Sequence, residues 1–201
     1  MRTGYMGCAP PPLKRQVLSA YLHRFQLRQF IETGTYVGDT LAYIAEDVEV
    51  TCTSVELAES YYQLAKQRFA SYGNVTIIKG DSGTVLPSLV QSLQTSALFW
   101  LDGHYSGGNT AQGVADTPVS SELRAILDSP IKSHVILIDD ARCFNGTDSY
   151  PELGSLVSMV RENSTYDVEV SADIIRLTPK TSGGETKVVL TGFPSFRVGK
   201  N

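Results

Sequence analysis

Five short apolar runs, separated by segments of helical periodicity, constrain this chain more than any other feature. They are FIET (30–33), VTCTSV (50–55), VTIIK (75–79), ALFWL (97–101) and HVILID (134–139). Each is apolar almost throughout, as a strand buried on both faces must be. Between them apolar residues recur every three or four positions. Leu57, Tyr61, Leu64, Ala65 and Phe69 form one stripe. Leu86, Leu89, Val90 and Leu93 form a second, with Pro87 expected in a first turn. Val119, Leu123, Ile126 and Leu127 form a third, and Leu153, Leu156, Val157 and Val160 a fourth. The alternation predicts an α/β fold, a Rossmann-like, doubly wound, mostly parallel sheet. Near the end DVEVS and DIIRLTP predict an antiparallel C-terminal hairpin, and TKVVLTG (186–192) a further strand. A helix with Leu13, Val17, Tyr21 and Leu22 on one face precedes the sheet. Residues 1–12, rich in glycine and proline, read as a loose N-terminal arm, and 13–201 as a single domain, which suits a chain of 201 residues.

Charge and composition exclude several classes. The net charge is −4, so there is no broad basic surface for nucleic acid or anionic lipid. No apolar run approaches the ~20 residues of a membrane span. Cys8, Cys52 and Cys143 are far apart, which argues against a disulfide framework or zinc site. With no apolar leader at the N-terminus, the expectation is a cytoplasmic protein without nucleic-acid or membrane partners.

Ligands of open α/β sheets bind beyond the carboxyl ends of the strands. There this sequence places Glu32, Gly34 and Gly38 after the first run and Glu56 after the second. Gly80, Asp81 and Ser82 follow the third, Asp102, Gly103, His104 and Tyr105 the fourth, and Asp139-Asp140 the fifth. One acid would be ordinary turn chemistry; an acid at five successive ends predicts a site. The turn ETGTYVGDT (32–40) has glycines where a backbone must approach a ligand, and a helix expected to start near Asp39. Glu56 follows Gly34 by 56 − 34 = 22 residues, the spacing at which an acid accepts hydrogen bonds from ribose hydroxyls. The turn lacks the middle glycine that a dinucleotide pyrophosphate needs.

ETGTYVGDT, SVELAESYYQLAKQRF, VTIIKGDSGTVLPSL, ALFWLDGHY and HVILIDDARCFNG resemble, in order, five motifs of class I S-adenosylmethionine-dependent methyltransferases, in particular the catechol and caffeoyl-CoA O-methyltransferases. The likeness runs from about residue 28 to 147. It implies that S-adenosylmethionine is held by Glu32 and the Gly34–Gly38 backbone at its methionine end. Tyr36, Asp39 and Thr40 of the same turn are candidate contacts. Glu56 would take the ribose, and Asp81 and Ser82 would lie against adenine. It also implies a divalent ion, Mg²⁺ by the all-oxygen donor set, on Asp102, Asp139 and Asp140, orienting a hydroxyl of a small-molecule acceptor. A homodimer is left open.

Two departures stand out. Catechol-type enzymes carry a lysine base three residues after the first metal Asp, and here that place is Tyr105, which makes His104 the nearest candidate base. Asp139 follows Asp102 by 139 − 102 = 37 positions, a stretch that includes the insert SGGNTAQGVADTP, an expected lid or acceptor loop. Alternatives are a metal-free methyltransferase using His104, a non-catalytic cofactor-binding or assembly module, and a nicotinamide oxidoreductase, which the two-glycine turn disfavours. Trp100, Phe99, His23 and His134 read as structural, Cys143 as inert, and Glu122 as a solvated neighbour of its helical stripe.

Overall fold

The computed structural model describes residues 9–103, 118–163, 165–181 and 184–191. Helix α1 (Pro11–Phe25) leads into β1 (Gln29–Thr33). Then α2 (Asp39–Ala45), β2 (Thr51–Glu56), α3 (Glu59–Arg68), β3 (Val75–Lys79), α4 (Ser82–Ser92) and β4 (Leu98–Leu101) alternate. Next come α5 (Val119–Leu127), β5 (Val135–Ile138), α6 (Leu153–Asn163), β6 (Tyr166–Ser171), β7 (Ile174–Pro179) and β8 (Val188–Leu190). The sheet order is β3-β2-β1-β4-β5-β7-β6-β8. The strands β3, β2, β1, β4 and β5 are mutually parallel. Strand β7 runs antiparallel to both β5 and β6, and β8 lies parallel to β6. This is the expected doubly wound sheet with its C-terminal hairpin.

Strand alternation divides the core. Phe99 faces the cluster containing Leu86, Val119, Leu123 and Leu156, contributed by α4, α5 and α6. Trp100, the next residue, faces Leu18, Leu41 and Phe69 on the side of α1 and α2. Both rings are almost wholly excluded from water, and burial of each apolar side chain stabilises the fold by roughly 1.5–3 kcal/mol. Their core reading holds, as does that of His134. Its Nδ1 accepts the Ala97 N–H (3.1 Å), its Nε2 lies 3.0 Å from Ser129 Oγ, and it is fully buried.

Three local expectations are corrected. Helix α1 begins at Pro11, inside the segment assigned to the arm, because proline is well suited to a first turn where its N–H would be unpaired anyway. Pro87 is not in a first turn: α4 starts at Ser82 under an Asp81 cap, so the proline falls inside the helix. Leu64 is exposed on α3, whereas Ala65 and Phe69 are buried. Among the described residues no helix is long and apolar enough to cross a membrane.

Candidate active site

The chain winds outward from β1 through β2 to β3, then returns to lay β4 on β1's other side. The crevice at such a reversal, at the carboxyl ends of the strands, is the favoured ligand position of an open α/β sheet. Backbone bonds bind this edge together. The Gly34 N–H donates to Val55 O (2.9 Å), Gly80 N–H to Glu56 O (3.0 Å), Asp102 N–H to Thr33 O (3.1 Å) and Asp139 N–H to Leu101 O (3.0 Å). The five predicted strand ends therefore do share one rim.

The turn from β1 to α2 requires its glycines. Gly34 has φ +84°, and a Cβ there would lie 2.6 Å from the carbonyl oxygen of Asp102. Gly38 has φ +80°, and a Cβ would meet the Phe69 ring at 2.8 Å. Tyr36 also has positive φ, is exposed, and packs its ring against Tyr61 with centroids 4.7 Å apart. Asp39 and Thr40 begin α2. The Asp39 carboxylate is engaged by Arg68 at 2.8 Å and Arg15 at 3.7 Å, and Arg68 also bonds the Val37 carbonyl. Asp39 thus anchors the turn to α1 and α3.

Three acids are shaped by their surroundings. Glu32 is buried at the end of β1 and accepts a bond from Ser54 Oγ (2.6 Å), whose oxygen lies 2.6 Å from Thr35 Oγ1. Burial raises its pKa to about 8, assisted by the charges of Asp102 and Glu56 and opposed by the Ser54 bond. Glu56, at the end of β2, accepts the Tyr36 N–H on Oε2 (2.8 Å) and the Ala58 N–H on Oε1 (2.7 Å). Its carboxylate is thereby fixed at the rim, with lone pairs remaining on each oxygen. Asp81 caps α4, accepting the Thr84 N–H at 3.2 Å beside buried Ser82.

Glu122 overturns its solvated reading. It sits three residues after Val119 on the buried stripe of α5, 1% exposed, and among the described residues neither carboxylate oxygen has a hydrogen-bond partner of good geometry. Burial lifts its pKa to about 7; the hydroxyls of Ser82 and Thr33 offset part of the rise, and Asp81 and Asp102 add to it. Glu122, Asp102, Gly103, Asp139 and Tyr150 line a cavity of ≈ 10 Å³, room for about one water molecule.

Asp139 and Asp140 are buried past the end of β5, and cations already meet them. Lys14, from the first turns of α1, places Nζ 2.5 Å from Asp139 Oδ2 and 3.6 Å from Asp140 Oδ1. Asp139 Oδ1 accepts the Asp140 N–H (2.7 Å), and Asp140 Oδ1 accepts from Arg142 (2.8 Å). Arg142 also pairs with Asp173 in the β6–β7 turn. Burial works against the Lys14 ammonium, yet the carboxylates of Asp139, Asp140 and Asp102 reverse that effect and raise its pKa. A divalent ion fits this donor set poorly. Among the described residues at least three of the pair's four carboxylate oxygens already accept from a cation or an amide, and no group of three His, Cys, Asp or Glu side chains is placed to hold a metal. His104, Tyr105 and the insert through Thr117 lie outside the described residues. Periodicity missed Lys14 because it records apolar faces, whereas Glu122 was detectable from its i+3 relation to Val119.

No protein-family model and no curated protein matches the sequence. Solved structures do resemble it. One is the O-methyltransferase TomG of Streptomyces achromogenes, involved in tomaymycin synthesis and solved with S-adenosylmethionine (16% identity, 87% of this chain and 82% of that one, TM-score 0.62). A Podospora anserina methyltransferase bound to S-adenosylhomocysteine matches at 16% identity over 85% and 80% of the two chains, TM-score 0.62. A Bacillus cereus O-methyltransferase in complex with the same product matches at 12% over 86% and 83%, TM-score 0.59. At this level of identity the likeness is one of architecture, and it establishes that the chain has the Rossmann-like fold of the class I methyltransferases.

Proposed function

We propose that this protein is an S-adenosylmethionine-dependent methyltransferase acting on a hydroxyl of a small molecule. The observation that carries the reading is the rim at the β1/β4 reversal. There a glycine turn closes onto the Asp102 backbone and Glu56 is clamped by the turn's own Tyr36 N–H. The neighbours solved with S-adenosylmethionine or its product support the choice of cofactor.

In this reading Gly34 and Gly38 would let the turn approach the methionine moiety, and Glu32 would hold its ammonium. Glu56 would receive the ribose hydroxyls, Tyr36 would contact the cofactor from the turn, and Asp81 and Ser82 would hold the adenine end. When bound, the cofactor would supply a sulfonium methyl group for transfer to the acceptor oxygen, with S-adenosylhomocysteine as the other product, and the chain's own contribution would be positioning above all. His104 is the proposed acceptor of the hydroxyl proton.

Calorimetric titration with S-adenosylhomocysteine tests the reading without an acceptor. One site per chain, lost in Glu56→Ala, supports it; no binding to folded wild-type protein overturns it. A nicotinamide enzyme would instead respond to NADH.

A further inference from the structure

The family likeness puts a divalent metal on Asp102, Asp139 and Asp140, and the structure puts a lysine there. Lys14 crosses from a helix 125 positions away in sequence to bond Asp139, and its side chain is only 14% exposed. A lysine so enclosed is costly to desolvate unless it is paired, and its pairing runs through the acids of the expected metal set. Arg142 supplies a second cation to Asp140. Each acid of the pair therefore has its own positive partner within the chain.

We propose that Lys14 is the resident cation of this site, standing in place of the divalent ion, so that the acid pair is held in position without Mg²⁺. Lys14 is a positioning residue: its ammonium fixes Asp139, and through the Asp140 N–H bond to Asp139 Oδ1 it fixes the start of the turn that follows β5. Removing that ammonium leaves buried carboxylates with a deficit of positive charge, which is what a divalent cation binds. The inference does not depend on the methyl-transfer reading, because it is tested by metal binding and the other by S-adenosylhomocysteine binding.

The test titrates Mn²⁺ into the full-length protein, following the free ion by electron paramagnetic resonance. Wild type and Lys14→Arg, which both keep the cation, are expected to leave Mn²⁺ free into the millimolar range. Lys14→Met is expected to bind one Mn²⁺ per chain at least about tenfold more tightly and to gain thermal stability from it. Lys14→Met/Asp139→Asn should lose both gains, which a purely structural role for Lys14 would not produce. If Lys14→Met folds only when Mn²⁺ is present, the proposal is supported. Tight one-site Mn²⁺ binding by wild type, lost in Asp139→Asn, overturns it. So does failure of both Lys14→Met and the milder Lys14→Gln to gain any Mn²⁺ response.

Discussion

Glu56 and Tyr36 are joined by a 2.8 Å hydrogen bond from the Tyr36 N–H to the Glu56 carboxylate, across 20 residues of sequence. The bond ties the acid of the second strand to the turn of the first. Glu56→Gln replaces one acceptor oxygen with a donor, so either Tyr36 or Ala58 loses its partner. A charged hydrogen bond contributes ~1.5–3 kcal/mol. S-adenosylhomocysteine binding by Glu56→Gln should weaken by a factor of about 10–100, measured by calorimetry, with a lower melting temperature in the free protein.

Gly34→Ala should be far more damaging than its chemistry suggests. The new methyl would meet the Asp102 carbonyl at 2.6 Å from a backbone at φ +84°. Strain of this kind costs about 1–3 kcal/mol before the clash is counted. Gly73→Ala is the control, since a Cβ there meets nothing within 4 Å. Urea midpoints of the two variants should differ clearly, with Gly73→Ala close to wild type.

The buried acids predict stability that declines toward alkaline pH. Glu32 and Glu122 are raised to about 8 and about 7 respectively, chiefly by burial. In the unfolded chain both ionise near pH ~4.3. Between those limits the native state holds more protons than the unfolded one, so stability falls as pH rises through the folded values. Denaturation midpoints should drop between about pH 5 and pH 8 and level off above that, and Glu122→Gln should flatten the part of the decline below pH 7. An unchanged slope in Glu122→Gln would exclude its part in it.

His134 sets the opposite limb. Burial, with Lys132 adding to it, lowers its pKa to about 4, so the native state resists a proton that the unfolded chain takes up below pH ~6.5. Stability from this group is present above that pH and is lost as pH falls toward 4. His134→Leu should remove the limb and cost about 1–3 kcal/mol by leaving the buried Ala97 N–H without an acceptor.

The sheet was legible because buried parallel strands are continuous apolar runs, and the hairpin because Asp167–Ser171 and Ile174–Pro179 flank a two-residue turn at Ala172-Asp173. Both turn residues have positive φ, as a tight hairpin requires. Glu32, Glu56 and the glycine turn were legible through spacing, since strand ends fall on a common rim. The pairing of Lys14 with Asp139 was not. A long side chain reaching from a helix edge leaves no periodic trace, and nothing local to either residue names the other. Pro87 misled for a related reason: the Asp81 cap, not the proline, sets where α4 begins.

The turn between β6 and β7 supplies no proposed ligand contact, yet Asp173 in it is fully buried and receives both the Arg142 N–H (3.0 Å) and the Arg142 guanidinium, while its carbonyl accepts the Ala141 N–H (2.9 Å). The antiparallel hairpin therefore works as a splint on the peptide just past Asp140. A change as remote in sequence as residue 173 would be felt at the acid pair, although none of the proposed cofactor contacts lies in the hairpin.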